Sequence, residues 1–278
     1  MPASSLPNID AVKTIIVDAA REVGLGEVSR RHSSTKDDGS TVTETDQQMQ
    51  ARLFSALRTE WPQFAVMGEE MEYRNQSEVV AAGGKGFWTL DPLDGTTNFA
   101  MGYPFYGVSL ALVIEGEPRL GVVYDPIREE LFSAIAENGA FLNGRLLRTL
   151  NSGLELRQCI ANIDYKRIVA DLAERLVRYP PYRSQRNLGS SVLEWCWLAA
   201  GRLQLYLHGG QRMWDYAAGS LILREAGGVF TTVEGLPLDC HKISKRSVVA
   251  AINRELHDAW LHWIWENNER WKGSGAPL

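Results

Sequence analysis

Asp91-Pro92-Leu93-Asp94-Gly95-Thr96-Thr97-Asn98-Phe99 sets two carboxylates three positions apart, beside a glycine and two hydroxyls. Residues 86–90, Gly-Phe-Trp-Thr-Leu, are apolar and β-prone and read as a buried strand that ends at Pro92. After Gly95, Thr96 or Thr97 serves as the N-cap of a short helical turn. Two acids then stand at a strand end, with the N–H groups of a turn just beyond them. Carboxylates so placed hold cations, and N–H groups at the positive end of a helix dipole receive a phosphate. A D-x-x-D-G run is also an ordinary tight loop, so the rest of the chain has to decide between loop and site.

Three further segments share the style, with an acid just after an expected strand or at a helix start. They are Thr43-Glu44-Thr45-Asp46, Gly68-Glu69-Glu70 and Trp214-Asp215-Tyr216-Ala217-Ala218-Gly219. Singly, Asp46 and Asp215 read equally well as first-turn acids favoured by the dipole, and the two glutamates as solvated loop charge. Their order and spacing together are far more specific than any one of them.

The elements that must position these acids follow from hydrophobic period. Ile9, Val12, Ile16, Ala19, Ala20 and Val23 recur at helical spacing, and Gly24 and Gly26 end that helix. Arg30 to Ser40 is a polar loop carrying Lys36. A second helix spans Thr45 to Trp61, with Met49, Leu53, Phe54 and Leu57 on one side and Pro62 as its stop. Residues 64–67 form a short strand, and polar residues 71–85 a loop leading to the strand before Asp91. Strands are expected at Val108–Ile114, Leu120–Tyr124 and Leu131–Ala136. Beyond about residue 150 strand and helix alternate. Strands fall at Cys159–Ile163, Leu203–Leu207, Val229–Val233 and Val248–Ile252; helices fall at 165–178, Ser191–Ala200, Asp215–Ala226 and 254–271. The expected division is an N-terminal α+β domain over 1–148, carrying most of the acids, and a C-terminal α/β domain over 149–278, carrying Asp215.

Composition limits the function classes. The 278 residues carry a formal charge of −5, with 45% hydrophobic and 23% charged residues. These are ordinary globular values, and they give no general attraction to nucleic acid or an anionic membrane. Cys159, Cys196 and Cys240 are odd in number and share no short spacing, which fits reduced, buried thiols better than disulfides or a zinc knuckle. The first residues lack a basic and an apolar leader region, and no stretch approaches 18 apolar residues. A soluble, cytoplasmic protein is expected, without nucleic-acid or membrane partners.

The motifs G-E-E, D-P-x-D-G-T-T-N-F and W-D-x-A-x-G occur here in order, and the chain resembles the inositol monophosphatase family from Lys36 to the strand near 248. The resemblance implies a five-layer αβαβα sandwich, of the type shared with fructose-1,6-bisphosphatase, and a Mg²⁺-dependent phosphomonoesterase. It implies that Glu69, Asp91 and the carbonyl of Leu93 hold one Mg²⁺. Asp91, Asp94 and Asp215 would hold a second, with a looser third near Glu69. Two to three ions per subunit follow, with Mn²⁺ as a substitute and Li⁺ as an inhibitor. The implied side-chain ligands are all oxygens, as a hard cation prefers. Two carboxylates about 4 Å apart at an effective dielectric near 20 repel by about 4 kcal/mol, so such a cluster binds cations or takes up protons. Thr96, hydrogen-bonded to Asp46, would orient and help deprotonate the attacking water beside Glu69, and the N–H groups of Gly95 and Thr96 would hold a phosphate oxygen. Glu70 would orient a ligand or a metal water from behind. Lys36 lies in a loop near the metals in this family, or is simply a solvated lysine.

Recognition of the substrate alcohol falls to the second half. Gly189-Ser190-Ser191 precedes a helix and offers N–H groups and hydroxyls to a sugar, or merely caps that helix. With Asp94 and Asp215, these residues and His208 make the expected substrate contacts. His208 stands seven residues before Asp215, where inositol-specific relatives carry a glutamate. Glu69 and Asp91 are only 22 positions apart, which favours the compact inositol-type branch and inositol 1-phosphate as substrate. Alternatives on the same fold are histidinol-phosphate, fructose-bisphosphate and nucleotide 3′-phosphate phosphatases. A further alternative is a regulator that keeps the fold without turnover. Relatives are homodimers, and Trp195 and Trp197 point to opposite sides of their helix, so that one of them could meet a partner subunit. His257 and His262 are five apart, wrong for a shared metal. Lys242, Lys245 and Arg246 read as a solvated turn.

Overall fold

The computed structural model describes residues 6–27, 33–35, 41–82, 85–149 and 153–268. Helix α1 (Ile9–Glu22) starts where the Asn8 side chain accepts the N–H groups of Asp10 and Ala11, and it buries Val12, Ile16, Ala19 and Ala20. Two short strands, β1 (Ser34–Thr35) and β2 (Thr41–Val42), pair antiparallel ahead of α2 (Glu44–Glu60). Helix α2 buries Met49, Leu53 and Leu57, spaced by four along one face. Strand β3 (Ala65–Gly68) follows, then α3 (Tyr73–Ala82), β4 (Phe87–Asp94) and the short α4 (Thr96–Met101). Strands β5 (Gly107–Ile114), β6 (Glu117–Asp125), β7 (Glu130–Ile135), β8 (Ala140–Leu142) and β9 (Arg145–Leu147) complete the first half.

Among the described residues, β3 to β9 form a seven-stranded sheet in chain order, parallel only at β3–β4. After a 3₁₀ turn at Leu156–Gln158 come β10 (Ile160–Asp164), α5 (Ala170–Arg178), β11 (Ser184–Arg186) and α6 (Ser191–Ala199). The chain continues through β12 (Leu205–Gln211), α7 (Met213–Ala226), β13 (Val229–Thr231), β14 (Arg246–Ala251) and α8 (Arg254–Glu266). The five-stranded second sheet has the order β11-β10-β12-β14-β13.

Strand alternation assigns the faces. Trp88 and Leu90 of β4, Val108, Leu110 and Leu112 of β5, and Leu120 and Val122 of β6 pack under α1 and α2. Phe87, Ala111, Val113 and Val123, their neighbours in sequence, face the other way, onto a core built largely by α6 and α7. Helix α7 is buried nearly all round because it lies between the two sheets, reaching β4 to β8 on one side and β13 on the other. It meets α6 closely: a Cβ on Gly219 would stand 2.4 Å from that of Trp195. Helix α8 covers the outer face of the second sheet, and Tyr182 joins it to α5 by an edge-on contact with Trp260 and a hydrogen bond to the Leu176 carbonyl. The expected αβαβα sandwich is therefore present: α1 and α2, first sheet, α6 and α7, second sheet, α8.

Several local readings need correction, beginning with the stretch from Arg30 to Ser40, read as loop, which contains β1. Residues 73–82, read as polar loop, are a helix, held by the partly buried Val79 and Val80 and by a buried Gln76 rather than by an apolar stripe. The expected helix over 165–178 begins only at Ala170; the residues before it are a turn. Strand β4 does not end at Pro92 but continues to Asp94. Asp91 lies opposite Ser109 and Asp94 opposite Gly107, so β4 advances three residues where β5 advances two. Proline is tolerated at such a bulge because the ladder bond is already interrupted there. Lys36 lies outside the described residues. All three cysteines are buried free thiols, as expected. No helix among the described residues is long and apolar enough to cross a membrane.

Candidate active site

The bulge has a chemical consequence. In a regular strand, residues three apart point to opposite faces. The extra residue in β4 lets Leu93 enter the core beneath α2 while Asp91 and Asp94 both turn to the face that meets α7. There the first turn of α7 supplies Asp215, whose carboxylate accepts the Arg212 N–H at 2.7 Å as the reciprocal half of its N-terminal cap. One oxygen each from Asp91, Asp94 and Asp215 falls within 4.8 Å of the others, so the three could hold a metal ion. Glu69, at the end of β3, joins them: its N–H bonds the Leu90 carbonyl at 3.2 Å, and its carboxylate shares a hydrogen bond with Asp91.

These acids are costly to ionise. Burial, followed by the charges of Glu69, Asp94 and Asp215, pushes Asp91 well above the usual carboxylate range. Asp215 rises likewise, from burial and then from Asp94 and Glu69. Burial also raises Asp94, against hydrogen bonds to one oxygen from the Ser190 hydroxyl at 2.6 Å and the Val192 N–H at 3.0 Å.

Thr96 opens α4, but the N-cap is Gly95, not Thr96 or Thr97. Gly95 adopts φ +87°, and a Cβ there would meet the Phe105 carbonyl at 3.0 Å and Ser190 Cβ at 3.2 Å. The Thr96 hydroxyl lies 3.0 Å from Asp46 Oδ1 and 2.9 Å from the Leu93 carbonyl. The other Asp46 oxygen accepts the N–H and hydroxyl of Thr43, at 2.7 and 2.5 Å, as the cap of α2. Burial raises Asp46 despite those bonds, and the charge of Glu70 adds to the rise.

A cleft of about 530 Å³ gathers Glu69, Asp91, Leu93, Asp94, Gly95, Thr96, Gly189, Ser191, His208 and Asp215 on its walls. Ser190 is buried beneath the rim and acts on Asp94, while Asp46 stands behind Thr96. Glu70 is not on the cleft wall; its N–H bonds Gln50 Oε1 at 3.1 Å. His208 lines the cleft with both ring nitrogens engaged by protein: Nδ1 accepts the Gly210 N–H at 3.1 Å, and Nε2 faces Asp164 Oδ2 at 3.4 Å.

Several wall residues escaped the sequence reading. Gln76 donates from one side-chain nitrogen to the Gly68 and Glu69 carbonyls, fixing the end of β3. Asp164 ends β10, an acid at a strand end like the others. Burial pushes its carboxyl up, but the hydrogen bond and charge of His208 bring it below its ordinary value. Glu194 is the one acid in an otherwise apolar helix, a signal that was legible. Burial pushes it up to about 7, against a hydrogen bond from Tyr206. Lys166, Arg167 and Lys245 also reach the wall, so Lys245 is more than part of a solvated turn. Gly209 makes room for this: a Cβ there would stand 1.6 Å from the Arg167 carbonyl.

Comparison with known proteins assigns this arrangement to a class of phosphatase hydrolases. The model of the inositol monophosphatase family matches residues 7–269. Inositol monophosphatase 2 of Solanum lycopersicum is 37% identical over 268 residues, covering 89% of this chain and 96% of the relative. A protein of Xylella fastidiosa named Nus factor SuhB is 32% identical, covering 80% and 82% respectively. The solved structure of an IMPase from Thermotoga maritima superposes with a TM-score of 0.80 at 27% identity, covering 94% of this chain and 98% of its own. The chain belongs to the inositol monophosphatase family. That family is metal-dependent, and the Asp91–Asp94–Asp215 cluster could bind metal.

Proposed function

We propose that this protein hydrolyses the phosphate monoester of a small polyol or sugar, with inositol 1-phosphate foremost, and that it uses Mg²⁺. The observation that carries the reading is the convergence of Asp91, Asp94 and Asp215 within 4.8 Å on one wall of the cleft. An oxygen-only donor set whose members resist ionisation in the bare protein fits a hard divalent cation. Glu69, Asp91 and the Leu93 carbonyl would hold one ion, and Asp91, Asp94 and Asp215 a second. Bound Mg²⁺ supplies charge neutralisation for the phosphoryl oxygens and acidifies a water.

The chain's own residues do the rest. Asp46 Oδ1 takes the Thr96 hydroxyl proton in a hydrogen bond, so the Thr96 oxygen can accept a proton from the attacking water. The N–H groups of Gly95 and Thr96, at the start of α4, receive a phosphate oxygen. Gly189 and Ser191, which line the cleft beside Asp94 and Gly95, would meet the alcohol. His208, with both nitrogens engaged, shapes the pocket through Asp164 rather than gripping hydroxyls itself.

A second reading rests on the basic wall. Lys166, Arg167 and Lys245 line the cleft, and no carboxylate among the described residues lies within 4.0 Å of the Lys166 or Lys245 ammonium. A substrate with a second anionic group, such as a sugar bisphosphate, would use those charges. Phosphate release with Mg²⁺ from inositol 1-phosphate, glycerol 2-phosphate, histidinol phosphate, fructose 1,6-bisphosphate and nucleoside 3′-phosphates decides among them. Highest kcat/KM on inositol 1-phosphate supports the first reading, and preference for the bisphosphate supports the second. Release from none of the esters would move the protein to a regulatory role without turnover.

A further inference from the structure

We infer that Glu194 is a positioning residue for Asp94, acting through the backbone at Leu188–Ser190; the inference rests on the metal reading above. Its side chain is 3% exposed in a helix whose other members are mostly apolar. A buried carboxylate is retained in such a place only where its partners offset the loss of hydration. Its partners are specific. Oε1 accepts the N–H groups of Leu188 at 3.1 Å and Gly189 at 3.0 Å. Oε2 accepts the Tyr206 hydroxyl at 2.9 Å. Tyr206 is braced in turn by Gln211, whose Nε2 donates to it at 2.5 Å and whose Oε1 accepts the Trp195 Nε1–H at 3.0 Å. The carboxylate is thus anchored to β12 on one side and grips a loop on the other.

That loop has no slack. From the opposite side Asn98 Nδ2 donates to the Leu188 carbonyl at 2.8 Å and the Phe105 carbonyl at 2.7 Å. Gly189 adopts φ +81°, and a Cβ there would crowd Asn98 Nδ2 at 3.1 Å. One residue further on, Ser190 donates to Asp94 Oδ2 at 2.6 Å, and the Val192 N–H donates to the same oxygen at 3.0 Å. Fixing Oδ2 in this way leaves Oδ1 to serve a cation. The chain of contacts therefore runs from Glu194 through the Gly189 backbone and the Ser190 hydroxyl to Asp94. The Glu194 carboxylate has no hydrogen bond to Asp91, Asp94 or Asp215; apart from its through-space repulsion with Asp94, its influence on the cluster runs through these contacts.

Calorimetric titration of the metal-free full-length protein with Mg²⁺ tests this, together with melting curves for each variant. Glu194→Ala should weaken Mg²⁺ binding about tenfold, and Ser190→Ala by a similar factor. The double variant should bind little more weakly than the worse single one, because both substitutions break one chain of contacts. Glu194→Gln keeps an oxygen for the two N–H groups and should restore most of the affinity. Native Mg²⁺ affinity in Glu194→Ala, even with a lowered melting temperature, would reduce Glu194 to a structural residue. Losses that multiply fully in the double variant would also overturn the inference. If Glu194→Ala does not fold, Glu194→Asp, one methylene short of the loop, should show the weakened binding, and native affinity there would overturn the inference. A native protein that takes up no Mg²⁺ would instead remove the metal reading on which the inference rests.

Discussion

Raising the pH of the metal-free protein from about 5 to 8 should lower its stability, and Mg²⁺ should restore it. Glu194 ionises near 4.5 when unfolded and at about 7 when folded. Between those values the unfolded chain binds fewer protons, so stability falls as pH rises, by about 1.36 kcal/mol per pH unit. The loss from Glu194 alone is on the order of 3 kcal/mol, or roughly 6–12 °C in melting temperature for a chain of this size. Asp91, Asp94 and Asp215, also raised, contribute with the same sign. His257, whose ionisation burial suppresses, works in the opposite direction below about 6.5. Comparison with Glu194→Gln, which cannot ionise, isolates the Glu194 share. Magnesium at about 100 times its dissociation constant should return about 2.7 kcal/mol per site, and more at pH 8 than at pH 5 because binding requires ionised carboxylates. Differential scanning fluorimetry with chelator and with Mg²⁺ across this pH range is the assay. A native pH profile no steeper than that of Glu194→Gln would refute the linkage argument. A Mg²⁺ shift of equal size at both ends would refute the carboxylate basis of metal binding.

Thr96→Ala keeps every expected metal ligand and should cut kcat by roughly 10²-fold with KM little changed; near-native kcat would leave Thr96 with no part in proton transfer. Gly95→Ala forces a side chain to φ +87° against the Phe105 carbonyl and should cost about 1–3 kcal/mol, read as a lowered melting temperature, with weaker Mg²⁺ binding as Asp94 loses its register with Ser190. His208→Glu sets a second carboxylate against Asp164, so the variant should lose stability as pH rises from about 4 to 7, while its preference between inositol 1-phosphate and glycerol 2-phosphate stays near native. A marked change in that preference would show that residue 208 meets the substrate directly.

Much of this was legible in the residues themselves. Apolar runs at 108–114 and 120–124 and the four-residue spacing of Met49, Leu53 and Leu57 hold in the structure as sheet and helix. Glu69, Asp91, Asp94 and Asp215 come from three separate stretches of chain and share one cleft. The hidden parts depend on pairing that no single segment encodes. Pro92 looks like a strand end until β5 supplies the register that turns it into a bulge. Helix α3 carries too few apolar residues to show a stripe, since it is held by Gln76 reaching back to β3. Asp164 falls between the expected strand and the expected helix and is passed over, although its position at a strand end matches the pattern of the other acids. The partners of Glu194 lie on a loop and on a strand of another layer, so only its charge in an apolar helix was visible beforehand.

The central claim is that the carboxylates gathered at the β4 bulge make a Mg²⁺-dependent phosphomonoesterase. The most direct test is phosphate release from inositol 1-phosphate by chelator-treated protein as Mg²⁺ is titrated back, beside the same titration of Asp94→Asn. The account predicts no release without metal, saturable recovery in the native protein, and nearly none in Asp94→Asn. Release that ignores Mg²⁺, or full recovery in Asp94→Asn, would contradict it.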